Sequence, residues 1–267
     1  MAVFTFNPNP NDTTVNWSDP TVWAGGVVPN GPTADVYFNT VYKFGTTEVY
    51  TSFVTVSGAF SLDSLQMASN YLLVGGNLSI ASGVTLLPGS DTFEMAGTLS
   101  AQSFINASDQ IQGSGSINVG AFDNQTMLLN VDVTADSFNN AGTLRATSGD
   151  LTVTVDPGGF ANLSGTTLTS GKYIAGYDIN TSDSSSTLFL NIGAPVQSLA
   201  TTIELLRGGH MASFVNGSYA QLQSTLTNIA ATGSLSLQRQ TYATGNLGVD
   251  GLLSLVGATT FSASSLA

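Results

Sequence analysis

The sequence predicts an all-β fold, a right-handed parallel β-helix (β-solenoid) with an N-terminal Trp/Pro-rich cap. Three observations carry that expectation. A short unit recurs along the chain: glycine, any residue, an aliphatic, any residue, then a small or aliphatic residue. Charged residues make up only 8% of the chain, against roughly 25% in ordinary globular domains. Glycine or asparagine stands at the ends of the apolar stretches, where a chain turning a corner needs a residue that tolerates the left-handed conformation.

Taken in order, residues 1–40 form a capping segment rich in Asn, Pro and Trp. Both tryptophans of the chain, Trp17 and Trp23, fall in it. The stacked end of a β-solenoid leaves apolar side chains and strand edges open to water, and bulky rings can close that layer. Prolines cannot donate to a strand ladder, so they stop further pairing. Residues 41–267 carry the repeating part. The unit reads Gly76-Asn-Leu78-Ser-Ile80, Gly97-Thr-Leu99-Ser-Ala101 and Gly115-Ser-Ile117-Asn-Val119. It returns at Gly142-Thr-Leu144, Gly149-Asp-Leu151, Gly233-Ser-Leu235, Gly245-Asn-Leu247 and Gly251-Leu-Leu253. Within each copy apolar and polar residues alternate, as in a strand with one buried face. A unit of about 20 residues cannot bury its apolar stripe alone; stacking equivalent units does so. Antiparallel hairpins would give similar spacings, so the sameness of the units is what favours a parallel winding. The stretch from about 170 to 230 breaks the pattern and reads as an irregular, insertion-like region. Within it, Leu222, Leu226 and Ile229 sit at helical spacing. They fit a short helix or a strand with a local turn, and the second reading is preferred.

Composition excludes several functions. The net charge is -12, and the five basic residues, Lys43, Arg145, Lys172, Arg207 and Arg239, are scattered singly. Binding nucleic acid or an anionic lipid surface needs clustered cations, so neither partner is expected. No cysteine is present, which removes disulfides and thiolate metal sites. No apolar run reaches the roughly 18 residues a helical span needs, so membrane insertion by this segment is not expected. No Sec-type signal is visible after Met1.

Asn16, Trp17, Trp23, Gly26, Pro29, Asp35, Val36 and Phe38 form the pattern N-W-x-x-x-x-x-W-x-x-G-x-x-P-x-x-x-x-x-D-V-x-F. That pattern resembles the opening of bacterial autotransporter-like and haemagglutinin-like β-solenoid passengers. Later stretches such as "YLLVGGNLSIASGVTLL" and "FNNAGTLRATSGDLTVT" resemble them too. The resemblance implies a structural cap made by Trp17, Trp23, Gly26, Pro29, Asp35 and Phe38. It also implies an extracellular or cell-surface location. It says little about ligands, because one fold serves many functions.

Glycosidases need two carboxylates facing one bond; Asp132 with Asp136, and Asp150 with Asp156, are the candidate pairs. The segment "DVTAD" places Val133 opposite Asp132 and Asp136, the signature of a solvated strand face. His210 is the sole histidine and stands after two glycines, so it is expected as an exposed turn residue. Arg145 and Lys172 have no repeated partner. No nucleophile elbow, P-loop, EF-hand or glycine-rich calcium nonapeptide is present. No cofactor and no metal site are expected, with an incidental Ca2+ left open at the Asn- and Asp-rich start. Tyr173, Tyr177 and Tyr219 are the candidate aromatics for stacking on sugars. The expected function is therefore non-catalytic: an exported bacterial structural or adhesive passenger meeting glycans or cell surfaces. The alternatives are a self-assembling fibre or matrix subunit and a carbohydrate-active enzyme, either a polysaccharide lyase or a glycosidase.

Overall fold

Alternation of buried and more exposed side chains marks many of the strands, such as Tyr71–Val74, Thr92–Met95, Leu151–Val155 and Ser186–Asn191. The computed structural model describes residues 2–6, 14–38, 42–44, 47–49, 53–68, 71–88, 92–107, 110–147, 149–177 and 185–267, with backbone alone at 42–44, 47–49 and 53. The protein is almost all β, with parallel sheets. Two compact units divide it, Met1–Met127 and Leu128–Ala267.

In Met1–Met127 the chain alternates between two sheets. One holds, in spatial order, Ala2–Thr5, Ala34–Phe38, Ala59–Met67, Asn77–Leu86, Thr98–Asn106 and Ser116–Asn124. The other holds Thr14–Asn16, Phe53–Val56, Tyr71–Val74, Thr92–Met95 and Gln110–Gly113. Neighbours in both pair in parallel. Like side chains fall in one register: Leu78 beside Leu99 beside Ile117, and Ile80 beside Ala101 beside Val119. Leu65, Val84, Phe104 and Phe122 form a third buried column, and Leu72, Phe93 and Ile111 a fourth. The glycines of the recurring unit explain themselves here. A Cβ on Gly97 would lie 2.0 Å from the carbonyl oxygen of Gly76, and one on Gly115 2.4 Å from that of Gly97. Each glycine leaves room for the backbone of its neighbour at a corner.

Leu128–Ala267 has three sheets. The first is Asp132–Asn140, Leu151–Val155, Ser186–Asn191, Gly209–Val215 and Ser218–Gln221; the second is Thr143–Ala146, Lys172–Ala175, Thr202–Leu205, Ser234–Gln238 and Leu252–Val256. The third runs Leu163–Ser164, Thr167–Leu168, Ser198–Leu199, Asn228–Ile229, Thr241–Val249 and Thr260–Leu266. Two neighbouring pairs are antiparallel hairpins, Leu163–Ser164 with Thr167–Leu168 and Gly209–Val215 with Ser218–Gln221. The second hairpin turns on Asn216 and Gly217, both at positive φ (51° and 85°), as a type I′ turn requires.

The recurring unit is spread over three sheets in this half, where the expectation was one repeated element. Leu144 pairs with Tyr173, Leu151 with Leu188 and Leu247 with Leu266. The reason is that an aliphatic-x-aliphatic strand suits any sheet with one buried face. Gly245 lies inside the strand Thr241–Val249 with open space around its Cβ position, so it is no corner glycine. Between 170 and 230, the strands Lys172–Ala175, Ser186–Asn191, Thr202–Leu205 and Gly209–Val215 all pair in parallel with strands before them. The departures there are the second hairpin and the single helical turn Leu222–Thr225, followed by the strand Asn228–Ile229. The helical spacing of Leu222 and Leu226 thus marks one local turn between strands. Among the described residues, no helix is long and apolar enough to cross a membrane.

Candidate functional site

The N-terminal motif residues come together around one aromatic cluster. Trp17 is fully buried and Trp23 is 2% exposed. Their rings meet edge to face at 4.8 Å. Phe6 and Phe38 pack on Trp23, and Phe38 and Phe60 on Trp17, all with centroids within 5.9 Å. Both indole N–H groups are satisfied: Trp17 Nε1 donates to the Pro29 carbonyl and Trp23 Nε1 to the Trp17 carbonyl. Asp35 is buried and accepts a 2.6 Å hydrogen bond from the Ser64 hydroxyl. Gly26 takes φ +68°, and its N–H closes a turn onto the Trp23 carbonyl. Asp19 caps the short 3-10 turn Pro20–Val22, accepting from the Thr21 N–H and hydroxyl, and the hydroxyl bond leads in holding its carboxyl below the usual range. With both tryptophans buried, neither offers a ring face to a ligand. The segment also supplies Ala2–Thr5, Thr14–Asn16 and Ala34–Phe38 to the two sheets.

Two outward surfaces remain as candidates for binding. In Met1–Met127, Ser61, Ser79, Ser100 and Asn118 lie in one register line, and Asn77, Thr98 and Ser116 in the next. This is an uncharged array of hydroxyl and amide groups repeating at the strand spacing of about 4.8 Å. In Leu128–Ala267, Tyr219 is 44% exposed and packs on Phe189 and Phe214 at 4.6 and 5.1 Å. Tyr173 and Tyr177, expected as surface aromatics, are buried at 0% and 7% exposure. Tyr173 lies in the register of Leu144 and Ile203 and fills a core position. Its hydroxyl donates to the Ser170 carbonyl, and burial raises the ionisation of its phenol far above the usual range.

Among the candidate catalytic groups, Asp132 and Asp150 accept from backbone N–H groups, while Arg145 and Lys172 bond to other side chains. Asp132 and Asp136 share the exposed face of one strand. The Asp132 carboxylate accepts from the Thr152 N–H, and that of Asp150 from the Thr187 N–H. Arg145 donates to the Thr147 hydroxyl, and Lys172 pairs with Glu204 at 2.8 Å on the surface. His210 is half-buried within the strand Gly209–Val215, opposite Thr187, and not in a turn as the glycines before it suggest. Among the described residues, no group of three or more His, Cys, Asp or Glu could hold a metal ion. The Asn- and Asp-rich run 7–13 lies outside the described residues. A shallow cavity of about 190 Å³ is lined by the side chains of Pro157, Phe160, Leu163 and Ile192 together with Gly158, Gly165 and Gly193.

A buried polar feature escaped the sequence reading. Asn106, Asn124, Asn140 and Asn162 are each fully buried. Asn106 Nδ2 donates to Asn124 Oδ1 at 2.8 Å, and Asn162 Nδ2 to the Asn140 carbonyl at 2.7 Å. Each follows a buried phenylalanine by two positions: Phe104, Phe122, Phe138 and Phe160. Phe104 stacks on Phe122 and Phe138 on Phe160. The signal in the sequence is F-x-N, which occurs six times; the four buried copies are spaced by 18, 16 and 22 residues, and the other two, Phe189-Leu-Asn191 and Phe214-Val-Asn216, leave their asparagines half-buried or exposed. It is easily passed over because asparagine is abundant throughout the chain.

No protein family, curated protein or solved structure matches this chain.

Proposed function

We propose that the parallel pairings trace successive turns of a right-handed β-solenoid, and that the protein is an exported bacterial structural or adhesive passenger acting without catalysis at the cell surface. The observation that carries this reading is the register itself. It sets Ser61, Ser79, Ser100 and Asn118 in one line, a flat face of neutral hydrogen-bonding groups at a fixed repeat. A glycan surface offers hydroxyls in comparable density, and many weak hydrogen bonds made together give useful avidity. The exposed Tyr219 ring, backed by Phe189 and Phe214, adds an amphipathic stacking surface of the kind sugars use. In this reading Trp17, Trp23, Gly26, Pro29, Asp35 and Phe38 cap one end. The resemblance of the N-terminal motif to autotransporter-like passengers supports the extracellular location.

The test is binding of the chain to immobilised glycans and to whole cells, read alongside release of sugar reducing ends. The reading expects retention without turnover, and a weakened retention for a Ser79→Glu, Ser100→Glu double variant that keeps its β-type circular dichroism. Steady release of reducing ends would replace it with the carbohydrate-active enzyme. No retention on any glycan or cell would sink the adhesive part.

A further inference from the structure

The strand Leu252–Val256 departs from every rule that keeps the other strands of its sheet soluble. It is the last strand of that sheet, paired on one side with Ser234–Gln238 and, among the described residues, with no strand on the other. Its inward residues, Leu253 and Leu255, stand in register with the fully buried Leu235 and Leu237. Yet Leu255 is 49% exposed. Its outward residues depart further. Thr202 and Glu204, then Ser234, Ser236 and Gln238, hold the outward positions of the two strands before it. Here those positions become Leu252 and Val256, 60% and 42% exposed, on either side of Ser254. The edge is therefore apolar on both faces. It also lacks the lysine, proline or bulge that usually protects an open edge.

We infer that Leu252–Val256 is a homotypic interface, at which a second copy of this chain pairs antiparallel about a two-fold axis through Ser254. Two observations choose that occupant. The first is electrostatic. The chain carries a net charge of -12, but residues 251–267 contain no charged side chain. Two copies can meet at this strand without forcing carboxylates together. The second is the sequence L-L-S-L-V read against itself. Antiparallel pairing about Ser254 sets Leu253 opposite Leu255 of the second copy and Leu252 opposite Val256, so each apolar residue meets an apolar residue.

The backbone fits the same register. The Leu252 N–H donates to the Gly233 carbonyl, and the Val256 carbonyl accepts from the Arg239 N–H. Residues 252, 254 and 256 therefore direct their backbone groups at the neighbouring strand. Leu253 and Leu255 direct theirs at the open side. Opposed across the axis, those two residues exchange four backbone hydrogen bonds. Ser254 meets its own copy as a non-hydrogen-bonded pair, with Cα atoms about 4.5 Å apart. Such an interface is isologous and closes on itself, which gives a dimer and not a fibre.

The absence of cysteine makes the test direct. Sedimentation of the 267-residue chain from roughly 5 to 500 µM should show a monomer–dimer equilibrium. Leu255→Pro removes an N–H used only across the axis and should abolish the dimer. Ser254→Cys places two thiols within the roughly 4.4–6.8 Å Cα range of a disulfide and should give a covalent dimer on mild oxidation. The exposed control Ser100→Cys should cross-link at least tenfold less. A monomer throughout, growth beyond the dimer, a dimer indifferent to Leu255→Pro, or equal cross-linking by the two cysteine variants would each overturn the inference. Should Leu255→Pro fail to fold, the pair of cysteine variants still decides it.

Discussion

The aromatic N-terminal segment and the C-terminal strands both bring large apolar side chains to the edges of sheets, with opposite results. Trp17, Trp23 and Phe38 are 2% exposed or less, while Leu252, Leu255 and Leu266 are 49% exposed or more. Hydrophobicity does not separate them. The difference is that the N-terminal chain folds back on itself: Trp17 and Trp23 are held over Phe6, Phe38 and Phe60 by a bond to the Pro29 carbonyl and one between the tryptophans. Among the described residues, no strand pairs with the other side of Leu252–Val256. An apolar edge is buried only where chain geometry supplies a cover, and residue type alone does not predict which edge has one.

The sharpest way to break the comparison is to remove one member of each. Trp17→Ala empties a fully buried site and is expected to cost about 3–5 kcal/mol, read from the urea or guanidinium midpoint. Leu252→Ser, 60% exposed, should stay within about 0.5 kcal/mol in dilute solution. Equal effects would show that the two edges are not distinguished by cover. Next in size are the glycine corners. Gly97→Ala drives a methyl to 2.0 Å from the Gly76 carbonyl oxygen and should destabilise by about 1–3 kcal/mol through the forced backbone shift. Gly245→Ala, with open space at the same atom, should be neutral or stabilising by roughly 0.5 kcal/mol, since it also stiffens the unfolded chain.

The buried asparagines should follow. Asn162→Ala deletes two side-chain hydrogen bonds, to the Asn140 carbonyl and the Ser170 hydroxyl, and the one accepted from the Asn140 N–H. Leaving those groups buried and unpaired should cost about 1–3 kcal/mol. The smallest effect belongs to Tyr242. Its hydroxyl is buried without a hydrogen-bond partner among the described residues, and burial pushes its ionisation well above the ordinary tyrosine range. A group whose folded value is raised lends stability below its unfolded value and loses it as pH climbs past that point. Stability should therefore fall above pH ~10. Tyr242→Phe should reduce that alkaline loss while leaving neutral-pH stability unchanged or higher by up to about 1 kcal/mol. A steeper alkaline loss in the variant would contradict the assigned burial effect.

The legible part of the fold was the part that depends on local pattern. Leu78, Leu99 and Ile117 were readable as equivalent positions because a period of two fixes which side chains share a face, and their register bears this out. The column of Gly76, Gly97 and Gly115 was readable for the same reason. Tyr173 and Tyr177 were not, because a tyrosine in a polar-looking context gives no sign that strands on both sides cover Tyr173 or that Tyr177 bridges to Arg207. His210 was misplaced because two preceding glycines suggest a turn, whereas Gly209 opens a strand. The Phe-x-Asn repeat was present in the sequence but looks like ordinary surface composition until Asn106 and Asn124 are seen bonded to each other inside.

By itself, then, the sequence determined the strand content, the inward stripe of each strand and the corners that demand glycine, since each follows from steric and solvation preferences spanning a few residues. Tertiary structure alone decided which sheet each copy of the recurring unit joins, which asparagines and tyrosines are buried, and which apolar edge is covered. Those outcomes depend on contacts between residues some 15 to 40 positions apart, and no short-range pattern encodes the partner that will arrive.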